Sequence, residues 1–342
     1  MRLLITTLAL IAALAGCGGK SEPGPHAPAC TGFSSGTVTP LAADQLVFDS
    51  NRGGNHEIYV MRTDGSDPVQ LTDDPQYANW WPRISPDRRR ILFYRAAANA
   101  SEDYATASLW VMNADGSNLT RLRAAGENGW TLQGHTEWSP DGTRIAMFGT
   151  ANAAVEVFVT DACGQNPVQY TRRGGINTDV AWSPDGQQLY FNGCATAAGC
   201  GPTNYEIFVM DAVPDAPATQ ITSNTLADYD PYMSPDGTKL AWLVNVDPAA
   251  NVIPGLNIPI GRWGIAMMDV APDGTRSNLR YLIDDGNINS KPAWSRDSQT
   301  VFFHRMVPPD YRFRVFRIDV DGSNLTDLTP DASTGSSEYP SN

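Results

Sequence analysis

Histidine is scarce: the 342 residues contain four, His26, His56, His135 and His304. A metal centre normally draws on two or more imidazoles or a tight carboxylate cluster, so neither a metal nor a cofactor is expected. Positive charge is short as well. Lys plus Arg number 24 against 37 Asp plus Glu, a formal net charge of −13. Such an acidic surface repels phosphate backbones and anionic headgroups, which argues against a nucleic-acid partner. Long apolar runs are confined to one, Leu3 to Leu14, and nothing else approaches the ~18 residues that cross a bilayer. Five cysteines are present, with no CxxC spacing that would suggest a redox or zinc pair. What is there, 42% apolar and 18% charged residues, is the balance of a folded globular chain.

The amino terminus reads as a leader. Arg2 provides a short positive start, Leu3 to Leu14 an apolar segment, and Leu14-Ala15-Gly16-Cys17 resembles a bacterial lipobox. That resemblance implies a signal peptide over 1–16, acylation of Cys17 and a lipid anchor in the cell envelope. Gly18 rather than Asp after the cysteine points to the outer membrane. Residues 17–44, rich in Gly, Pro, Ser and Ala, suit a flexible tether. Four cysteines remain, enough for two disulfides in an exported chain. Cys194 with Cys200 is the preferred, loop-closing pair, which leaves Cys30 with Cys163 to pin the tether to the body. Other connectivities stay open.

Internal repetition decides the fold. Ser-Pro-Asp recurs at Ser85, Ser139, Ser183 and Ser234, with a degenerate fifth copy at Ser295-Arg296-Asp297, at successive spacings of 54, 44, 51 and 61 residues. A large apolar residue precedes each serine: Ile84, Trp138, Trp182, Met233 and Trp294. A β-rich run follows each turn, then a loop, then a second run such as Glu57-Ile58-Tyr59-Val60-Met61 or Glu206-Ile207-Phe208-Val209-Met210. Asp-Gly turns and a short Leu-Thr segment close most units. Six second runs predict six four-stranded units. The first unit lacks a preceding Ser-Pro-Asp strand, and Tyr339-Pro340-Ser341-Asn342 aligns Pro340 with Pro82, Pro231 and Pro292. The carboxy terminus is therefore expected to supply the innermost strand of the first unit.

The pattern Pro-x-Trp-Ser-Pro-Asp-Gly, apolar strand, Glu-Ile-Tyr-Val-Met, Asp-Gly, Leu-Thr resembles the TolB-type, WD40-like β-propeller repeat over about residues 45–342. The resemblance implies an all-β fold: a six-bladed propeller of four-stranded antiparallel blades, closed by the carboxy-terminal strand. The expected organisation is 1–16 signal peptide, 17–44 tether and 45–342 propeller. Residues 18–44 are too short for the α/β domain that precedes the propeller in TolB itself.

Most conspicuous residues read as structural. In the turns Pro fixes φ and Asp accepts backbone N–H groups. Trp138, Trp182 and Trp294 read as wedges between blades. Gly32-Phe33-Ser34-Ser35-Gly36 matches a nucleophile-elbow string but lies in the tether, without the strand and helix that motif requires. A site, if present, belongs to the long loops 96–106, 193–204, 245–262 and 305–312, or to the axial channel. The residue before each Pro-equivalent position reads Trp81, His135, Asp179, Asp230, Lys291 and Tyr339. Two positions earlier the ring reads Asn79, Gln133, Asn177, Asp228, Asn289 and Ser337. His135, Asp179, Asp228, Asp230, Asn177, Lys291 and Trp81 are the candidates for binding a small ligand or cation at the channel mouth. A hydrated polar channel is the plainer reading of the same residues.

No catalytic residue is assigned. The expected function is that of a non-catalytic envelope lipoprotein, a monomer lying in the periplasm or at the cell surface, which binds a protein or ligand through its loop face or channel mouth. The resemblance implies a peptidoglycan-associated envelope protein as the partner class. The alternative is a metal-dependent polysaccharide lyase, using a channel-mouth histidine and basic residues to grip an acidic sugar. Lys291 and Arg262 are the basic residues near that mouth, and the acidic surface opposes such a substrate.

Overall fold

The computed structural model describes residues 38–194, 204–253, 258–307, 311–330 and 335–342. The leader, Cys17, most of the tether with Cys30 and the Gly32–Gly36 string, and Cys200 lie outside the described residues. Among the described residues no helix is long and apolar enough to cross a membrane.

The strands follow the repeat. The first unit supplies β1 (Gln45–Ser50), β2 (Glu57–Arg62) and β3 (Val69–Gln70). The second supplies β4 (Tyr77–Ile84), β5 (Arg90–Ala97), β6 (Ser108–Asn113) and β7 (Thr120–Arg123). Next come β8 (Gln133–Trp138), β9 (Arg144–Ala151), β10 (Ala154–Asp161) and β11 (Val168–Gln169), then β12 (Asn177–Trp182), β13 (Gln188–Cys194), β14 (Tyr205–Asp211) and β15 (Thr219–Gln220). The fifth holds β16 (Ala227–Met233), β17 (Lys239–Asp247), a small hairpin of β18 (Val252–Ile253) and β19 (Ile258–Pro259), β20 (Arg262–Val270) and β21 (Arg276–Ile283). The sixth holds β22 (Ile288–Trp294), β23 (Thr300–Val307), β24 (Arg312–Asp319) and β25 (Thr326–Asp327), and β26 (Ser337–Ser341) ends the chain.

Six separate blades are expected; the structure shows four separate four-stranded blades and one eight-stranded sheet. The four are β26-β1-β2-β3, β4-β5-β6-β7, β11-β10-β9-β8 and β12-β13-β14-β15. In the fifth sheet β16-β17-β20-β21 continues into β22-β23-β24-β25 through one parallel residue pair, Trp263↔Ile288. The long 245–262 segment lies at this junction: β17 and β20, which it joins, run to nine residues each, and the start of β20 meets the start of β22. The carboxy-terminal strand β26 runs antiparallel to β1, with Asp49 opposite Glu338 and Ser50 opposite Ser337.

Each Ser-Pro-Asp turn makes the same bonds. Asp185 Oδ1 accepts from Ser183 Oγ at 2.6 Å and from the Gln187 N–H at 3.0 Å, and Ser183 Oγ accepts from the Gln188 N–H at 2.8 Å. Asp141 repeats this geometry, so both aspartates are turn formers. Arg88 stands where other copies have glycine, at φ +59°, and donates to the carbonyls of Leu41, Ala42 and Gln45. The last residues assigned to the tether are thus docked on the second blade.

The core lies between sheets. Val47 and Ile58 of the first blade pack against Ile91 and Phe93 of the second, and Phe48 and Tyr59 against Phe302, Val315 and Leu328 of the sixth unit. The tryptophans join neighbours: Trp138 Nε1 donates to Arg83 O at 3.4 Å, Trp182 Nε1 to Glu137 O at 3.3 Å and Trp294 Nε1 to Tyr232 O at 2.9 Å. Gly65 (φ +88°) lies so close to the sixth unit that an added Cβ would stand 2.6 Å from Leu328 O. Gly65→Ala is expected to destabilise by ~1–2 kcal/mol from the left-handed backbone and a further ~1–3 kcal/mol from overpacking. Urea unfolding measures it, and an unchanged midpoint would refute the close approach.

Candidate functional site

The six innermost strands share one irregularity. Pairing shifts register between Trp80 and Arg83, Gly134 and Glu137, Thr178 and Ala181, Tyr229 and Tyr232, and Ser290 and Ala293. Inside each bulge one residue takes a left-handed backbone: Trp81 (φ +59°), His135 (+50°), Asp179 (+49°), Asp230 (+49°) and Lys291 (+57°), with Tyr339 (+51°) at the matching place in β26. Bulges re-aim side chains, and here all six are turned toward one another.

Trp81 stacks on His135 at 4.2 Å and lies 4.8 Å from the Tyr339 ring. Lys291 Nζ contacts Asp230 Oδ1 at 2.6 Å and Asp179 Oδ1 at 3.9 Å, and sits 4.6 Å from the Trp81 ring centroid. His135 Nδ1 faces Asp179 Oδ1. Donor atoms of His135, Asp179 and Asp230 all lie within 4.8 Å of one another. The repeat register puts these three residues at one level, and the fold brings their donor atoms together. Burial, with Lys291 and Arg83 nearby, holds His135 well below the ordinary imidazole value, so the ring is neutral at pH 7.

Beneath this layer a second group crosses the axis. Arg83 Nη2 donates to Tyr232 Oη at 3.0 Å, Tyr232 Oη donates to Glu137 Oε1 at 2.8 Å, and Arg83 Nε pairs with Glu137. The loop 96–106 closes over the layer: the Tyr104 ring lies edge-on to His135 at 5.1 Å, and Glu102 Oε1 accepts from Tyr339 Oη at 2.7 Å. Arg83, Glu102, Tyr104 and Tyr232 escaped the sequence reading. Arg83 and Tyr232 follow their Pro-equivalent positions directly, so the repeat alignment could have found those two. Within this layer Trp81, Asp230 and Tyr339 are almost wholly buried, while His135 and Lys291 keep partial exposure.

Two expected site residues do not belong to this layer. Asn177 is fully buried and donates to Glu156 Oε2 and to the carbonyls of Val155 and Gly174. Asp228 is fully buried and accepts from Trp242 Nε1 at 3.1 Å and Asn224 Nδ2 at 2.7 Å. Both brace the chain as it enters an innermost strand. The same brace uses the repeat's Glu and Thr: Glu206 accepts from Thr222 Oγ1 at 2.6 Å, and Thr222 Oγ1 from the Ile207 N–H at 2.9 Å. Cys163 and Cys194 are disulfide-bonded, while Cys30 and Cys200 lie outside the described residues, so the pairing stays a proposal.

At the junction of β26 and β1 carboxyl groups crowd together. Asp49 faces Glu338 across the strands, His56 Nδ1 contacts Asp49 Oδ2 at 2.8 Å, and Glu102 is bonded to Tyr339. Burial raises Asp49, Glu102 and Glu338, and Glu102 pushes Glu338 further up. A carboxyl raised on folding binds its proton more tightly in the folded state. Its stabilisation is present at low pH and is lost as pH rises through the folded value. Glu338→Gln is therefore expected to raise the melting temperature more at pH 8 than at pH 5; equal shifts at both would remove the electrostatic account of this junction.

Comparison with known proteins bears on the fold. No protein-family model matches the chain. An uncharacterized protein of Agrobacterium fabrum is 26% identical over 175 residues, 50% of this chain and 54% of that protein. A TolB homolog of Chlorobium luteolum is 27% identical over 171 residues, 48% of this chain and 34% of that protein. The chain thus spans about half and about a third of these curated relatives. Among solved structures, TolB from Acinetobacter baumannii superimposes with TM-score 0.64 at 16% identity, covering 90% of this chain and 68% of that one. A putative TolB from Agrobacterium tumefaciens gives 0.58 at 18% identity, covering 86% and 97%.

Proposed function

With a TolB-like β-propeller as the premise, we propose that the chain is a non-catalytic, lipid-anchored envelope scaffold whose long-loop face receives an envelope protein partner. In this reading the eight-stranded sheet is two blades joined at one residue pair, and six blades close into a ring through β26. Three observations support closure: the β26–β1 pairing, the first blade's core shared with the sixth unit, and the approach of Gly65 to Leu328. The leader over 1–16, acylation of Cys17, outer-membrane attachment, disulfides Cys194–Cys200 and Cys30–Cys163, and a monomeric state complete the proposal.

One contrast carries it. At one end of the blades the Ser-Pro-Asp turns repeat the same short bonded geometry. At the other, dissimilar loops pack beside the starts of innermost strands: the Gln133 N–H donates to Tyr104 O, and Asn251 Nδ2 to Gly286 O. Variable loops on a rigid frame are where recognition concentrates. The lyase alternative needs free cations for a polyuronate, whereas Lys291 is engaged by Asp230 and Asp179 and Arg262 lies 3.6 Å from Asp284.

The test is cross-linked capture from intact envelope using the full chain. Ala105→Arg with Ala249→Arg alters exposed residues of two long loops; Gln187→Arg alters an exposed residue at the turn end. Capture of a peptidoglycan-associated protein is expected to fall at least ~10-fold with the loop pair, a loss of ~1.4 kcal/mol, and to persist with Gln187→Arg. Equal capture by all three would sink the loop-face reading. Independently, Cys17→Ser is expected to move the protein from the membrane to the soluble envelope fraction; unchanged membrane association would remove the lipid anchor.

A further inference from the structure

We infer that His135, Asp179 and Asp230 form a binding site for a divalent transition-metal ion at the propeller axis, with the Lys291 ammonium as the competing resident cation. The three donors come from consecutive innermost strands, β8, β12 and β16, each held by the same left-handed bulge. Their donor atoms all lie within 4.8 Å of one another, so side-chain rotation alone lets the three surround an ion bonded at about 2.0–2.2 Å. Imidazole with two carboxylates suits ions such as Zn²⁺ and Mn²⁺ and leaves coordination positions open.

Independent observations point to a missing positive charge. Asp230 is 1% exposed, yet its Oδ2 has no hydrogen-bond partner among the described residues. Two buried carboxylates face one ammonium, which leaves net negative charge among buried groups, and such charge calls for a further cation. The surroundings are those of a supported ligand set. Trp81 fixes the plane of His135 by stacking, and the Asn192 amide, turned to donate, reaches Asp179 Oδ2 at 2.6 Å. The His135 and Lys291 side chains retain 14% and 13% exposure, so an ion has an approach from their side.

The Lys291 ammonium contacts Asp230 Oδ1 at 2.6 Å and Asp179 Oδ1 at 3.9 Å, so an ion beside these carboxylates has to displace it. The test is isothermal titration of the full chain with Zn²⁺ alone and Mn²⁺ alone. One ion per chain is expected, weakened at least ~10-fold by His135→Gln, or ~1.4 kcal/mol, and tightened by Lys291→Met, which removes the competitor. If Lys291→Met fails to fold, wild type and His135→Gln are melted with and without Zn²⁺; a metal-dependent rise in melting temperature is expected in wild type alone. Absence of stoichiometric binding, or binding that His135→Gln leaves unchanged, overturns the site. This inference is independent of the scaffold proposal, because partner capture can fail while metal binding persists, and the reverse.

Discussion

A chain truncated after Gly335 is expected to lose its cooperative thermal transition. Truncation removes β26, leaves the inner edge of β1 with unpaired backbone groups, and takes away Tyr339, which is 2% exposed. Burial of one such aromatic is worth ~1.5–3 kcal/mol. The strand also carries Ser337, Arg52's hydrogen-bond partner at 3.1 Å, and the backbone N–H of Tyr339, which donates to buried His304 Nδ1 at 3.0 Å. Losses of this size together rival the ~5–15 kcal/mol by which a domain is stable. Circular dichroism melting measures it. A truncated chain that melts sharply at the wild-type temperature would show that the end segment is dispensable, and the six-blade ring would go with it.

The second large effect is expected at Arg83. Its guanidinium joins Glu137 and Tyr232 across the axis, tying together three innermost strands, and it also lies 4.3 Å from the Trp81 ring centroid. Burial already raises the Glu137 carboxyl, and Arg83 opposes that shift. Arg83→Met leaves Glu137 without its counter-ion, a loss of ~3–5 kcal/mol where a buried pair is broken from one side. The double variant Arg83→Met with Glu137→Gln is expected to recover a large part of the loss, since the neutral amide no longer needs that partner. Urea unfolding of the two single variants and the double variant gives the coupling. A double variant no more stable than Arg83→Met would show that the guanidinium acts through packing rather than charge.

Strand order was legible because each unit repeats a local code. Ser-Pro-Asp specifies a turn through bonds within five residues, and the apolar runs flanking it have no stable alternative to pairing. Tyr339-Pro340 could be placed opposite the first blade because it continues the alignment of Pro82, Pro231 and Pro292. The merger of two units into one sheet was not legible. It depends on how far β17 and β20 extend around the long 245–262 segment and on where β20 then meets β22.

The site was legible in part. Register alone brought Trp81, His135, Asp179, Asp230 and Lys291 to one level, and the same counting misplaced Asn177 and Asp228. Strict alternation holds two positions apart on one face, but a bulge intervenes in every innermost strand and breaks that rule. Glu102 and Tyr104 reach the axis from a loop with no repeat to align it.

By itself, then, the sequence determined the all-β repeat, the turn chemistry and the pairing sought by the last strand, because those follow from contacts within a unit or between identical units. Only the tertiary structure decided that Glu102 and Tyr104 cover this layer, that His135 meets two aspartates, and that Arg83 reaches Glu137 and Tyr232. Those contacts join different blades through left-handed bulges, and their geometry depends on how the sheets are set against each other, which no local pattern encodes.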